Sequence, residues 1–216
     1  DSDNTRPSKG WILAFHPDLI CGTVLGANIR DYTFFSYRPE EALHVSLREK
    51  QVILELLDKI NEELQRCIDC YSQKIISKYI ELLLDYCERF YERQFITRNE
   101  ANKKIIERFD RLLDDHFNTI QSQSSDLPTI EECVRVLRLS PAYFNDLLEY
   151  ETGKSYKEYL QFKRFEIAKE WLINTNKTLS QIAQELGFRN PQYFSRLFKR
   201  YSGLTPSEYR ASKNPQ

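Results

Sequence analysis

Gln192, Ser195, Arg196 and Lys199 fall at i, i+3, i+4 and i+7 within the stretch "NPQYFSRLFKRYSGLTP", residues 190–206. That spacing gathers them on one face of a helix. Their chemistry suits a polyanion with readable edges. Arginine forks onto guanine, glutamine pairs with adenine, serine bonds either base or phosphate, and lysine suits phosphate. Phe194, Leu197, Phe198 and Tyr201 repeat the same spacing on the opposite side and predict the face that packs inward. A solvated basic face would show the same stripe, so the surrounding sequence has to decide between the two readings.

The surroundings are duplicated. Thr129-Ile130-Glu131-Glu132 and Thr178-Leu179-Ser180-Gln181 both fit the capping box that opens a helix. Ser140-Pro141 and Asn190-Pro191 each place an N-cap residue before a proline at the first helical position. Tyr143-Phe144 matches Tyr193-Phe194, Leu147 matches Leu197, and Gly153 matches Gly203. Ser155, Glu158 and Tyr159 match Thr205, Glu208 and Tyr209. The second copy carries one extra residue in its turn. Each copy reads as helix, tight turn, helix, then a glycine stop, which is the pattern of a helix-turn-helix. Within such a duplication, the basic stripe reads as a nucleic-acid face rather than a solvated one.

The elements that must position this face extend upstream. Between the copies, Ser155 and Glu158 form another capping box. Phe162, Phe165, Ile167, Ala168, Trp171 and Leu172 then predict a connecting helix to Asn174, with Trp171 in the core. Twenty helical residues span about 30 Å, close to the ~34 Å of one B-DNA turn. From Glu40 to Leu127 there is neither Gly nor Pro, which predicts long helices. One stripe runs through Ile53, Leu56, Leu57, Ile60, Leu64, Cys67 and Ile68. A second runs through Ile76, Tyr79, Ile80, Leu83, Leu84, Cys87, Phe90 and Tyr91. A third helix is expected over 100–119, and Gln121–Asp126 reads as a loop. Residues 1–45 are richer in Gly and Pro. There, Trp11–Phe15 and Tyr32–Phe35 predict short strands around a loop or short helix at 17–26. The chain starts at Asp1 and holds no Met, so it reads as part of a longer protein.

Composition bounds the function. The 216 residues are 41% hydrophobic and 29% charged, with a net charge of -1, as expected of a folded soluble chain. The charge is uneven: residues 177–216 hold seven Lys/Arg against two Asp/Glu, while 127–160 hold four against six. Local positive charge attracts a polyanion. No apolar run reaches the ~20 residues needed to span a bilayer. The five cysteines are odd in number and scattered, which fits a reducing, cytoplasmic setting. Cys67 and Cys70 form a single CxxC, readable as two small residues near a helix end or as a redox switch. There is no glycine-rich phosphate loop, metal-ligand set or nucleophile–base pair. No catalysis, cofactor or metal is therefore expected.

The sequence from Lys103 to Lys213 resembles the AraC/XylS family of bacterial transcription regulators. The resemblance is strongest at "LSQIAQELGFRNPQYFSRLFKRYSGLTPSEYR" (Leu179–Arg210) and extends to "LSPAYFNDLLEYETGKSYKEYL" (Leu139–Leu160). Upstream, "GWILAFHPDLI", "FFSY" and "IELLLDYCERFYERQF" are similar to members with a cupin-like N-terminal domain joined to the reader by helices. The resemblance implies a mainly α fold in which two helix-turn-helix subdomains are joined by a long helix. It implies a remnant of the cupin-like domain at 1–45, a helical linker or dimerisation region at 46–99, and a DNA-binding domain at 100–216. Base contacts fall on Ala142, Asn145 and Asp146 in the first copy and on Gln192, Ser195 and Arg196 in the second. Lys199, Arg200, Arg189, Thr178 and Ser180 are the phosphate candidates.

The first copy departs from the family pattern. Asp146 stands where a basic residue is frequent, Glu149 opposes Lys199, and Arg138 replaces the turn glycine. Asp146 either accepts from a cytosine amino group or pairs with a nearby cation. The expected function is a DNA-binding regulator, an activator, with RNA polymerase, a second copy through 46–99 and a small-molecule effector as possible partners, and no membrane. The rival readings are a protein-interaction module, or a thiol sensor using Cys67 and Cys70.

Overall fold

The computed structural model describes residues 10–119 and 127–213, which are mainly helical. The expected loop at 121–126 lies outside the described residues. In chain order the α-helices are α1 (Val24–Asn28), α2 (Leu47–Leu64), α3 (Ser72–Thr97), α4 (Asn99–Thr119) and α5 (Ile130–Leu137). They continue with α6 (Pro141–Thr152), α7 (Tyr156–Asn174), α8 (Leu179–Glu185), α9 (Pro191–Ser202) and α10 (Pro206–Lys213). The chain divides into two compact units: Asp1–Tyr32 with Leu43–Tyr91, and Thr33–Ala42 with Glu92–Gln216. α3 contributes to both.

In the first unit, Leu56 and Leu57 of α2 pack with Leu83 of α3, flanked by Val52, Ile53 and Tyr79. These are the positions that 3.6-residue periodicity selects. A capping box starts α2: Ser46 Oγ accepts from the Glu49 amide, and the Glu49 carboxylate accepts from the Ser46 amide. The segment before α2 is fastened by polar contacts. Tyr32 Oη donates to Asp85 Oδ1 at 2.6 Å, and Gln73 Nε2 donates to the carbonyls of Asp18 and Leu19. Gly26 is required by close approach, because a Cβ there would lie 2.0 Å from the Ile20 carbonyl oxygen.

Three expectations need correction. The two short strands are not strands. Residues 11–16 have no regular structure, Thr33–Ser36 is a 3₁₀ turn, and no strand occurs among the described residues. A strand needs a neighbour for its amides, and Thr33–Ser36 closes its backbone locally instead. The first apolar stripe also ends early. α2 stops at Leu64, and Cys67, Ile68 and Cys70 are exposed in the connection to α3. Tyr201, expected on the packed face, is 60% exposed, with its ring against that of Phe165.

The second unit has a large core, with a smaller cluster of Phe95, Tyr143 and Leu147 beside it. Phe109 and Leu113 of α4, Phe144 and Leu148 of α6, Ala168 and Leu172 of α7, Ile182 of α8, and Phe194 and Phe198 of α9 are all essentially inaccessible to solvent. Trp171 is buried among them, as the sequence predicts. Capping boxes open α5, α7 and α8 at Thr129–Glu132, Ser155–Glu158 and Thr178–Gln181. Thr205 and Glu208 make the same reciprocal bonds before α10. Gly153 and Gly203 take left-handed φ values of 67° and 79° and end α6 and α9. The turn of each copy also needs a left-handed residue. Gly187 supplies it in the second copy at φ 69°, and Arg138 in the first at φ 62°.

Candidate nucleic-acid interface

α9 is positioned from both ends. Asn190 Oδ1 accepts from the Tyr193 amide at 2.7 Å, Pro191 opens the first turn, and Gly203 closes the last. Phe194 and Phe198 anchor the inner side. On the outer side Gln192, Arg196, Lys199 and Arg200 are exposed and Ser195 is half-buried. Arg189, Thr178 and Ser180 are exposed near the starts of the two helices of this copy. No carboxylate among the described residues pairs with Arg189, Arg196, Lys199 or Arg200. The surrounding cations are treated differently. Lys177 pairs with Glu185 and lies over the Trp171 ring, and Arg210 donates to the carbonyls of Leu172 and Lys177. Those two hold the fold, which leaves α9 with the available positive charge.

The structure also brings in Arg164 of α7, which the sequence reading passed over. Its Nε donates to the Leu186 carbonyl at 2.7 Å, and its guanidinium lies 3.7 Å from the centre of the Phe188 ring. It clamps the turn between α8 and α9. Burial pushes its pKa down to about 10, so it stays charged at neutral pH. With Gly187, Arg189, Asn190, Tyr193 and Arg196 it lines an open recess of about 520 Å³ beside the start of α9. The available signal was a cation placed between apolar positions of the connecting helix.

The first copy is built the same way and presented differently. Ser140 Oγ accepts from the Tyr143 amide, as an N-cap should. Ser140 also faces Glu41: its amide donates to Glu41 Oε1 at 2.6 Å and its hydroxyl to Oε2 at 2.5 Å. Tyr37 Oη donates to Asp146 Oδ2 at 2.7 Å. Asp146 therefore takes a neutral partner from its own chain, not the cation considered from sequence. Asn145 Oδ1 accepts from the Tyr156 amide at 3.3 Å, and Ala142 is half-buried. Glu149, opposite Lys199 in the repeat, is exposed. α6 contains no Lys or Arg. Tyr143, 4% exposed, packs between Tyr37 and Phe95, whereas its counterpart Tyr193 is 42% exposed.

Comparison with known proteins agrees with this architecture. A helix-turn-helix domain family matches residues 133–212. The uncharacterized HTH-type transcriptional regulator YtdP of Bacillus subtilis is 30% identical over 128 residues, covering 58% of this chain and 17% of that protein. The uncharacterized transcriptional regulatory protein YesN of the same species is 44% identical over 77 residues, covering 35% of this chain and 21% of that protein. The chain thus spans about a fifth of the length of these relatives. Among solved structures, the C-terminal domain of AraT, a response regulator from Geobacillus stearothermophilus, is 31% identical with a TM-score of 0.43, covering 52% of this chain and 88% of that one. Two capped helix pairs around a shared helix, with the family match over 133–212, make the C-terminal unit an AraC-type helix-turn-helix DNA-binding domain, the kind carried by transcriptional regulators such as YtdP.

Proposed function

We propose that the chain regulates transcription, as an activator, by reading duplex DNA chiefly through α9. The observation that carries this is the exposed row Gln192, Arg196 and Lys199 on a helix capped at both ends, with no carboxylate ion-paired to it among the described residues. Arg196 and Gln192 read base edges in the major groove, with Ser195 beside them. Lys199, Arg200 and Arg189 hold phosphates, joined by Thr178 and Ser180 at the start of α8. α7, at 19 residues, is about 28 Å long. That length suits a second reader, α6, one helical turn of DNA away. RNA polymerase is the partner that activation requires. A second copy through 46–99 and a small-molecule effector remain the partners proposed for the upstream region.

Binding to duplexes enriched from a random pool tests this reading. Arg196→Ala should weaken binding by about 1–3 kcal/mol and relax preference at one base pair. Lys199→Ala should weaken binding to every sequence and lower the salt slope by about one. Wild-type behaviour of both variants would remove α9 as the reader.

A further inference from the structure

We infer that the reading face of α6 is a protein-docking surface, occupied here by the chain's own segment Thr33–Ala42, and that DNA and this segment compete for it. The inference rests on the DNA-binding reading above.

The occupant takes the places that DNA would need. The start of a helix offers free amides and a positive dipole end, and so receives an anion. At the start of α6 that anion is already present. The Glu41 carboxylate is buried and accepts from the Ser140 amide, the Ser140 hydroxyl and the Arg38 amide, the last at 2.7 Å. A phosphate cannot share this position with a carboxylate. Further along the helix, Tyr37 holds Asp146, and its ring meets Tyr143 edge-on with centroids 5.1 Å apart. Leu147 is fully buried here, whereas its counterpart Leu197 is only half-buried.

The sequence of α6 favours a protein occupant. Covering this helix strands no cation, because it has none. Covering α9 would desolvate Arg196, Lys199 and Arg200. The segment is also removable. Two short 3₁₀ turns, Thr33–Ser36 and Pro39–Glu41, make up most of it, and Phe35, Arg38, Pro39 and Glu40 are exposed. A segment with so little structure of its own opens at low cost once its docking contacts are lost.

The test selects DNA from a random duplex pool in parallel with the 216-residue chain and with its Tyr37→Phe, Glu41→Gln double variant. Wild type should enrich one conserved block, the one read by α9. The variant should enrich that block plus a second about ten base pairs away, and bind the two-block duplex at least tenfold more tightly than wild type does. Equal affinity on one-block duplexes would show that the variant is folded and that α9 is untouched. Identical motifs and affinities for the two chains would overturn the competition. Hydroxyl-radical footprinting of wild type alone gives a test that needs no variant: protection confined to one groove segment supports the inference, and protection of two segments a turn apart overturns it. If neither chain enriches any duplex, the DNA-reading assignment of α9 falls first.

Discussion

The two helix-turn-helix copies share their caps, turns and core anchors, yet face different neighbours. Phe144 and Phe194 are equally buried and hold their helices against the same core. Ser140 and Asn190 cap the same amide position. The outer surfaces diverge. α9 presents arginine and lysine to solvent, while α6 presents small and acidic groups to Tyr37 and Glu41. Duplication therefore preserves how a helix is held without preserving what it touches. The inward face answers to packing, which tolerates little change, and the outward face answers only to its partner.

The largest effect that would sharpen this contrast is on stability. Tyr143→Ala should cost about 3–5 kcal/mol, as for other buried aromatics. Tyr193→Ala, at a half-open position, should cost about 1 kcal/mol. Chemical denaturation of both variants checks this, and equal costs would break the asymmetry. Next comes charge. Lys199→Glu should lower DNA affinity about tenfold or more by losing a phosphate contact and adding repulsion. Glu149→Lys at the matching place should change it less than about twofold while α6 stays covered. Titration of one labelled duplex with both proteins decides. Smallest is the turn. Arg138 holds a left-handed conformation that costs a side-chain residue about 1 kcal/mol. Arg138→Gly should therefore stabilise the chain by about 0.5–1 kcal/mol, and Gly187→Arg should destabilise it by at least as much. Thermal melts of the pair would show both signs.

Much of this was legible in the chain itself. Thr129, Ser155 and Thr178 announce helix starts because a capping box acts over three residues. The glycines after α6 and α9 announce stops for the same local reason, and the i, i+3, i+4 spacing separates the inner and outer faces of α9. The expected strands failed because pairing is not local: an aromatic run such as Tyr32–Phe35 reads as a strand only if another strand lies beside it. Tyr201 failed because periodicity assigns a side but not the extent of the wall it meets, and α9 outruns its cover. Arg164 went unread because its partners are a carbonyl and a ring on the next helix pair.

The sequence by itself determined where helices begin and end, that a bihelical unit occurs twice, and that the second copy carries the positive charge. Each follows from interactions spanning a few residues or from simple composition. Only the tertiary structure decided that Tyr37 and Glu41 lie against the first copy. Glu41 and Ser140 are 99 positions apart, and nothing in the pattern around either one names the other. Their meeting depends on how the chain between them packs, which is a property of the whole core rather than of any short stretch.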